Sequence, residues 1–269
     1  MRHAASLRTD CHRGRPVRDD GERASYANGT MLNQILYWML IAGTAADVIL
    51  LLRLATLKLH RVYVFIALDC SLGVLFDAVS LWYGWDSPAA VAVFQYSRLL
   101  YAAVIPMIAW DVFEELVKHQ PSARQIAATH LRANLLSGIV FAVFLLLVTA
   151  GFGETDGEGF LAFIGMALWA FAAVLSLNFI WRTVASLRAK NIELPRNTQV
   201  WSVFYKLNFG WTAVLVAMLF FGFPSTDSQS DVVTIVSVVF DVVITTWCIL
   251  RLQRSVGARH AAPAESSDL

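Results

Sequence analysis

Residues 133–152 read ANLLSGIVFAVFLLLVTAGF, twenty consecutive residues without a charged side chain. A helix needs about 20 apolar residues to cross the roughly 30 Å hydrocarbon core of a bilayer. Because lipid offers no hydrogen-bond partners to the backbone, a spanning segment of this kind must pair its own amide groups, which it does as a helix. The stretch therefore predicts a transmembrane helix, and with it a membrane protein.

Six further segments share this length and this apolar character. Over the whole chain 57% of residues are hydrophobic and 15% are charged, whereas an ordinary soluble domain has about 45–50% apolar and about 25% charged residues. The runs are too long and too uniformly apolar for barrel strands, whose polarity alternates over about ten residues. We therefore predict an all-α polytopic membrane protein, a bundle of seven transmembrane helices at approximately 31–52, 62–84, 90–113, 133–152, 159–181, 200–223 and 232–250.

The basic residues of the connections all lie on one side of this predicted bundle. Arg53, Lys58 and Arg61 fall in the first connection, and further basic residues fall in the third, the fifth and the C-terminal tail. The second, fourth and sixth connections contain no Lys or Arg. Cytoplasmic loops are enriched in Lys and Arg, so we predict an N-terminus outside and a C-terminus in the cytoplasm, in a bacterial plasma (inner) membrane.

The first thirty residues contradict this orientation. They contain six arginines against four acidic residues, which favours retention in the cytoplasm, and they lack the apolar core of a signal peptide. We interpret 1–30 as a disordered tail, with two alternatives: a real extracellular segment, or a translated upstream region with Met31 as the true start. Residues 31–254 form the predicted transmembrane domain, and 255–269 a disordered cytoplasmic tail.

Seven ionisable residues fall inside the predicted spans. A charge at the centre of a transmembrane helix costs about 2.5–3.5 kcal/mol on insertion scales, so such side chains are expected to face the bundle interior and to find partners there. They define a candidate intramembrane polar network: Asp47, Asp69, Asp77, Arg98, Asp111, Lys206 and Asp241.

Counting residues from the helix ends, at about 1.5 Å per residue, places these charges at two depths. Asp77 and Arg98 come to a similar depth in the second and third helices, where an ion pair is expected. Closer to the cytoplasmic ends, Lys206 is expected to face up to four carboxylates. The network is then either a satisfied structural core or, where carboxylates lack partners and take up protons, the material of a proton relay.

No catalytic, cofactor-binding or metal-ligating residue is predicted. All six histidines lie in tails or near predicted cytoplasmic ends, and the seventh helix has no lysine for a retinal Schiff base. Glu114, Glu115 and His119 lack the arginine of the E-E-x-x-x-R signature of intramembrane prenyl-protein proteases. We therefore interpret these three residues as an ordinary solvated helix end.

Three classes of function remain open. The first hypothesis is a non-enzymatic sensor, accessory or scaffold protein that acts through membrane or cytoplasmic partners, because no catalytic motif is visible and no loop could hold a soluble domain. The alternative is a small proton-coupled transporter or carrier that uses Asp69, Asp111, Lys206 and Asp241, and an intramembrane enzyme is a distant third. The expected surroundings are the lipid bilayer, the small-molecule ligand is unknown, and the basic residues report topology rather than nucleic-acid binding.

Overall fold

The computed structural model describes residues 20–84, 87–150, 157–221 and 227–254. Throughout these ranges the regular structure is helical, which confirms the predicted all-α class. The helices are α1 (Asp20–Thr56), α2 (Val64–Tyr83), α3 (Pro88–Asp111), α4 (Glu114–His119), α5 (Pro121–Ala150), α6 (Gly157–Ala189), α7 (Arg196–Phe220) and α8 (Asp227–Arg251), with a turn of 3₁₀ helix at Leu59–Arg61 before α2.

Five of these helices are long and apolar enough to cross a bilayer. Their apolar spans are Tyr37–Thr56 in α1, Val64–Tyr83 in α2, Pro121–Leu147 in α5, Ile164–Ala189 in α6 and Val232–Arg251 in α8. The helices α3 and α7 are 24 and 25 residues long and are not among the five. In α7 the polar Lys206 and Asn208 interrupt the apolar sequence. The chain is therefore a helical, multi-pass membrane protein.

Several helix boundaries differ from the predicted spans. α5 begins at Pro121 rather than at 133, and α6 continues to Ala189 rather than to 181. The third predicted span, 90–113, nearly coincides with α3 (Pro88–Asp111), and the short α4 that begins at Glu114 was not predicted. Hydropathy marks only the apolar part of a helix, and the helical backbone continues into the polar residues that flank that part.

The predicted tails stay predictions. Residues 1–19 and 255–269 lie outside the described residues, whereas 20–30 belong to α1. By its internal contacts the chain divides into Met1–Tyr37 and Trp38–Leu269. All contacts described below belong to the second of these units.

Gly84 and Ser87 mark the end of α2 and the start of α3. Gly84 follows α2 with a φ of 84°, a conformation that glycine adopts at little cost. The Oγ atom of Ser87 accepts a hydrogen bond from the backbone N–H of Ala90 at 3.2 Å, which caps α3. Pro88 begins α3 at a position where its fixed φ suits a helix and where a backbone N–H would have no helical partner. Local sequence therefore determines where α2 ends and α3 begins.

The helices α3 and α6 form the centre of the bundle. They pack against each other most extensively, α2 and α5 contact this pair, and α7 connects α6 to α8. Small residues permit the close approach: Ala109 of α3 and Ala173 of α6 are fully buried, and Gly165 of α6 lies beside Leu99 of α3. Small residues at helix interfaces are the usual means by which membrane helices pack closely.

Large aromatic side chains collect at the end of the bundle that carries α4. Phe113, between α3 and α4, meets Phe179 of α6 edge to face with ring centroids 5.7 Å apart. Trp201 of α7 is fully buried against Tyr63 and Phe204. Aromatic pairs of this kind contribute about 0.5–1.5 kcal/mol each beyond the area that they bury. Aromatic packing therefore holds this end of the bundle together.

Candidate functional site

Four carboxylates of the predicted polar network lie close together. Asp47 is on α1, Asp69 and Asp77 are on α2, and Asp241 is on α8. Asp47 interacts electrostatically with the other three carboxylates. Gly73 makes room for Asp47, because a Cβ atom at that position would lie 3.1 Å from the Oδ2 atom of Asp47. We call these four aspartates the carboxylate cluster.

Two hydroxyl groups contact the carboxylate cluster. Tyr205 of α7 donates its hydroxyl to Asp69, with an oxygen–oxygen distance of 3.0 Å. The hydroxyl of Thr44 on α1 lies 2.8 Å from Asp77 and 2.9 Å from the carbonyl oxygen of Leu40. A hydroxyl group has one proton to donate. When Thr44 donates to Leu40, a hydrogen bond with Asp77 therefore requires a proton on the carboxyl group.

Asp111 does not belong to the carboxylate cluster. It is 4% exposed, and its Oδ2 atom accepts hydrogen bonds from the backbone N–H groups of Phe65 (2.5 Å) and Ile66 (3.2 Å). These amides lie in the first turn of α2 and have no partner within their own helix. The N-cap residue of α2, Tyr63, supplies no side-chain hydrogen bond to them. Asp111 thus caps α2 from α3, and its predicted place opposite Lys206 is wrong.

Lys206 is directed away from the carboxylates. Its Nζ atom lies 5.4 Å from the centre of the Trp181 ring on α6, and Trp181 is 65% exposed. No ion pair joins Lys206 to a carboxylate within the described ranges. The prediction that Lys206 faces up to four carboxylates is wrong because this position of α7 turns toward α6, where the ammonium group rests on an aromatic ring.

Arg98 and Asp77 do not form the predicted ion pair. The guanidinium of Arg98 lies 5.0 Å from the centre of the Trp169 ring and contacts the sulfur of Met166, both on α6. Asp77 instead contacts Thr44 on α1. Equal depth in the bundle suggested the pair, but depth does not determine the direction in which a side chain points.

A cavity of about 260 Å³ lies between α2, α3, α6 and α7, and we call it the polar cavity after the charged and hydrogen-bonding side chains set in its otherwise largely apolar wall. Its polar and aromatic lining includes Asp69, Arg98, Tyr101, Trp169, Tyr205 and Asn208. Asp69 is also a member of the carboxylate cluster, so the cavity and the cluster share a wall. One anionic side chain, one cationic side chain, aromatic rings and hydrogen-bonding groups therefore line a single space, as in sites for small polar ligands.

Glu115 is buried, which contradicts its interpretation as part of a solvated helix end. It is 4% exposed, and its Oε2 atom accepts hydrogen bonds from the hydroxyl of Tyr63 (2.9 Å) and the amide of Asn197 (3.3 Å). Burial and the neighbouring Glu115 carboxyl raise the pKa of Tyr63, so Tyr63 remains a hydrogen-bond donor. The side chain of Glu114 is 21% exposed, pairs with Lys118 at 3.3 Å and accepts a hydrogen bond from the indole N–H of Trp110 at 2.9 Å.

Asn197, near the start of α7, binds the backbone that follows α8. Its Nδ2 atom donates to the carbonyl oxygen of Gln253 (2.9 Å), and its Oδ1 atom accepts from the backbone N–H of Gln253 (3.0 Å). We call Tyr63, Glu115, Asn197 and the backbone of Gln253 the latch. The sequence contains no spacing rule that could have revealed the latch, because its four members come from four separate parts of the chain.

A continuous series of contacts connects the polar cavity to the latch. The ring of Tyr205, in the cavity wall, lies 6.0 Å from that of Trp201, which lies 5.8 Å from that of Tyr63. These three side chains are at most 2% exposed. Tyr63 in turn donates to Glu115. These contacts form a close-packed path from the cavity wall to the latch.

The described residues contain no group of three or more His, Cys, Asp or Glu side chains that could hold a metal ion. What the polar cavity and the carboxylate cluster offer is charge, hydrogen bonding and sites that can take up protons. Comparison with protein-family models, with curated proteins and with solved structures finds no match for this chain.

Proposed function

We propose that the chain is a non-enzymatic membrane sensor, which binds a small polar ligand in the polar cavity and reports the binding through the latch to a protein partner. The observation that carries this proposal is the line of buried contacts from Asp69 through Tyr205, Trp201 and Tyr63 to Glu115. It gives a ligand in the cavity a physical route to the end of the bundle.

The lining of the polar cavity favours a particular kind of ligand. The guanidinium of Arg98 suits a carboxylate or phosphate group, to which arginine makes strong charge-assisted hydrogen bonds. The carboxylate of Asp69 suits an ammonium or hydroxyl group on the same molecule. Sites for drug-sized ligands have volumes of roughly 300–1,000 Å³, and this cavity of about 260 Å³ is smaller. A small zwitterion or hydroxy acid is the class of ligand that we propose.

The latch is suited to report binding because it joins elements that a ligand would displace. Tyr63 precedes α2, which carries Asp69, and Asn197 lies on α7, which carries Tyr205. A ligand shifts the equilibrium between two arrangements only if it binds one of them more tightly. A ligand that replaces Tyr205 as the partner of Asp69 would favour an arrangement with a loosened latch. A partner protein would then read the released backbone around Gln253.

The proposed topology follows from helix length and from the basic connections. With 24 and 25 residues, α3 and α7 exceed the roughly 20 residues needed to span a bilayer. Arg98 of α3 faces α6 rather than lipid. We propose seven spans, an external N-terminus and a cytoplasmic C-terminus in a bacterial inner membrane, which would put the latch at the cytoplasmic face.

Hydrogen–deuterium exchange of the full chain in detergent tests the sensor proposal. The N–H of Gln253 is bonded to Asn197, so protection of residues 252–254 measures whether the latch is closed. We expect Tyr205→Phe, which removes the donor to Asp69, to speed exchange there severalfold. Tyr101→Phe is the matched control, because Tyr101 lines the same cavity outside the contact line. Equal protection in both variants would refute the proposed coupling.

A second candidate function is a proton-coupled carrier. The observation that favours it is the carboxylate cluster, with the single proton of Thr44 between two acceptors. Of the residues first assigned to transport, Asp69 and Asp241 keep a place in the cluster, whereas Asp111 and Lys206 do not. In proteoliposomes with an internal pH dye, a carrier would show proton flux that Asp241→Asn abolishes and Lys206→Met leaves intact. Flux no greater than that of protein-free vesicles would exclude the carrier.

A further inference from the structure

A second, apolar cavity of about 380 Å³ lies between α3, α5 and α6. Small residues make space for it, among them Gly138 and Ala142 on α5, and Pro106, which lies within α3, also lines it. Its rim includes Ile139, which is 62% exposed, and Met107, which is 42% exposed. Exposed apolar side chains of a membrane-spanning bundle face lipid. The apolar cavity therefore opens toward the acyl chains of the bilayer.

Polar and then basic side chains follow the apolar cavity along α5 and α6. Asn134 lines one part of the cavity, and the exposed Asn178 donates to it at 3.4 Å. About one turn further along, the Nε2 atom of His130 lies 3.1 Å from the hydroxyl of Ser186. The exposed Arg182 interacts electrostatically with His130. The side chains thus change in order from apolar to amide to basic along these two helices.

We propose that the apolar cavity holds one acyl chain of an anionic phospholipid, whose phosphate binds beside Arg182 and His130. The order of side chains matches the order of acyl chain, ester and phosphate in such a lipid. At about 1.5 Å per residue, His130 lies roughly 12 Å along α5 from Gly138, within the length of one lipid molecule. Basic pockets between membrane helices are known binding places for anionic headgroups, and the planar guanidinium of arginine matches a phosphate.

The basic side chains of Arg182 and His130 beside the apolar cavity favour a lipid over a second copy of the chain as its occupant. A protein partner would need an acidic group beside Arg182 and an apolar side chain to fill the cavity at the same time. A phospholipid carries both groups in one molecule and is present in the bilayer toward which the cavity opens. This inference does not depend on the sensor proposal, because the polar cavity uses Arg98, Tyr101 and Ile105 of α3 whereas the apolar one uses Leu99 and Ala102.

Native mass spectrometry of the full chain tests the headgroup contact. The probes are dioleoyl phosphatidylglycerol, which is anionic, and dioleoyl phosphatidylcholine, which has the same acyl chains and no net charge. We expect tighter binding of the anionic lipid and a loss of about fivefold in Arg182→Gln, the effect of one basic residue near an anionic surface. Arg188→Gln, which changes another exposed arginine of α6, should retain the preference. Equal binding of both lipids by the unaltered chain would overturn the proposal, as would displacement of the lipid by inorganic phosphate alone.

A cavity-filling substitution tests the acyl-chain contact in the same assay. Ala142→Phe should weaken retention of both lipids by about tenfold, because it takes the space of several buried methylene groups. Ala133→Phe, at an exposed position of α5 outside the cavity, is the matched control. If Ala142→Phe does not fold, Ala103→Phe at the cavity wall on α3 replaces it. Retention unchanged in a folded cavity variant, or a dimer that excludes the lipid, would contradict the proposed occupant.

Discussion

Asp111 is a charged residue whose hydrogen bonds go to the backbone of another helix. The N-terminus of a helix carries unpaired N–H groups and a partial positive charge, and both favour an anion at that position. We expect Asp111→Ala to lower the free energy of unfolding by about 1–2 kcal/mol, the usual effect of removing an N-cap. Asp111→Asn, which keeps an accepting oxygen, should cost less. Thermal unfolding in detergent measures both.

The control for Asp111 is Glu193→Ala, which removes an exposed carboxylate from the connection between α6 and α7. It should leave the melting temperature unchanged. If Glu193→Ala lowered the stability as much as Asp111→Ala, the loss in Asp111→Ala would be due to the change in net charge and not to the loss of the helix cap.

Glu115 and Glu114 are adjacent in sequence, but Glu115 is buried whereas Glu114 is partly exposed. Replacing Glu115 with leucine would leave the Tyr63 hydroxyl and the Asn197 amide without their shared acceptor, and each unsatisfied buried group costs about 1–3 kcal/mol. We therefore expect Glu115→Leu to destabilise the chain by about 2–4 kcal/mol and to speed hydrogen exchange at residues 252–254. Glu114→Leu removes the pair with Lys118 and the acceptor of the Trp110 indole N–H, and it should cost about 1–2 kcal/mol without faster exchange at residues 252–254. Similar exchange at these residues in the two variants would show that the latch does not depend on Glu115.

At the scale of helices, hydropathy predicted the class of structure and missed some of the ends. The apolar run at 133–152 lies within α5 (Pro121–Ala150) for most of its length. The third span was predicted to end at 113 and α3 ends at Asp111, but the short α4 (Glu114–His119) that follows was not predicted, because its charged residues fall outside the apolar run. The burial of Glu115 in α4 against Tyr63 and Asn197 is determined by tertiary packing, which a single window of sequence does not contain.

The contact between α1 and α2 depends on the absence of a side chain at Gly73. Gly73→Ala would place a Cβ atom 3.1 Å from Asp47, whereas nothing lies within 4 Å of a Cβ atom at Gly210 in α7. Alanine is favoured over glycine within a helix by up to about 1 kcal/mol. We expect Gly210→Ala to be neutral or stabilising and Gly73→Ala to be destabilising by about 1 kcal/mol, the low end of overpacking. Equal melting temperatures would show that α1 moves to accommodate the added methyl group.

Across the whole molecule, sequence reasoning found the charges and did not find most of their partners. The cost of a charge in lipid predicts that Asp47, Asp69 and Asp241 turn inward, but it does not say which side chain each will meet. Tyr205, the donor to Asp69, is 136 residues away in the chain. The latch was missed for the same reason, since Tyr63 and Asn197 are ordinary residues until the fold brings both to Glu115. Partners from different helices are specified by packing, and one sequence carries no direct record of that packing.

The number of times the chain crosses the bilayer depends on α3 and α7, the two long helices outside the five most apolar ones. Labelling of single cysteines placed on either side of each helix measures whether that helix crosses. The background chain has Cys11 replaced by serine and keeps the native Cys70 and Cys248, because both are buried. Ser87→Cys and Ser122→Cys flank α3. Lys190→Cys and Phe221→Cys flank α7.

We expect a membrane-impermeant maleimide to label Ser87→Cys and Phe221→Cys in intact cells, and the other two variants only after permeabilisation. That pattern requires both helices to cross, since each pair of cysteines would then lie on opposite faces. If α3 lay along the surface instead, Ser87→Cys and Ser122→Cys would react alike, and Arg98 would have to meet headgroups rather than the ring of Trp169. The lining of the polar cavity comes in part from α3 and α7. The cavity can therefore lie within the membrane only if both helices cross. For this reason the labelling pattern also tests the site on which the sensor proposal depends.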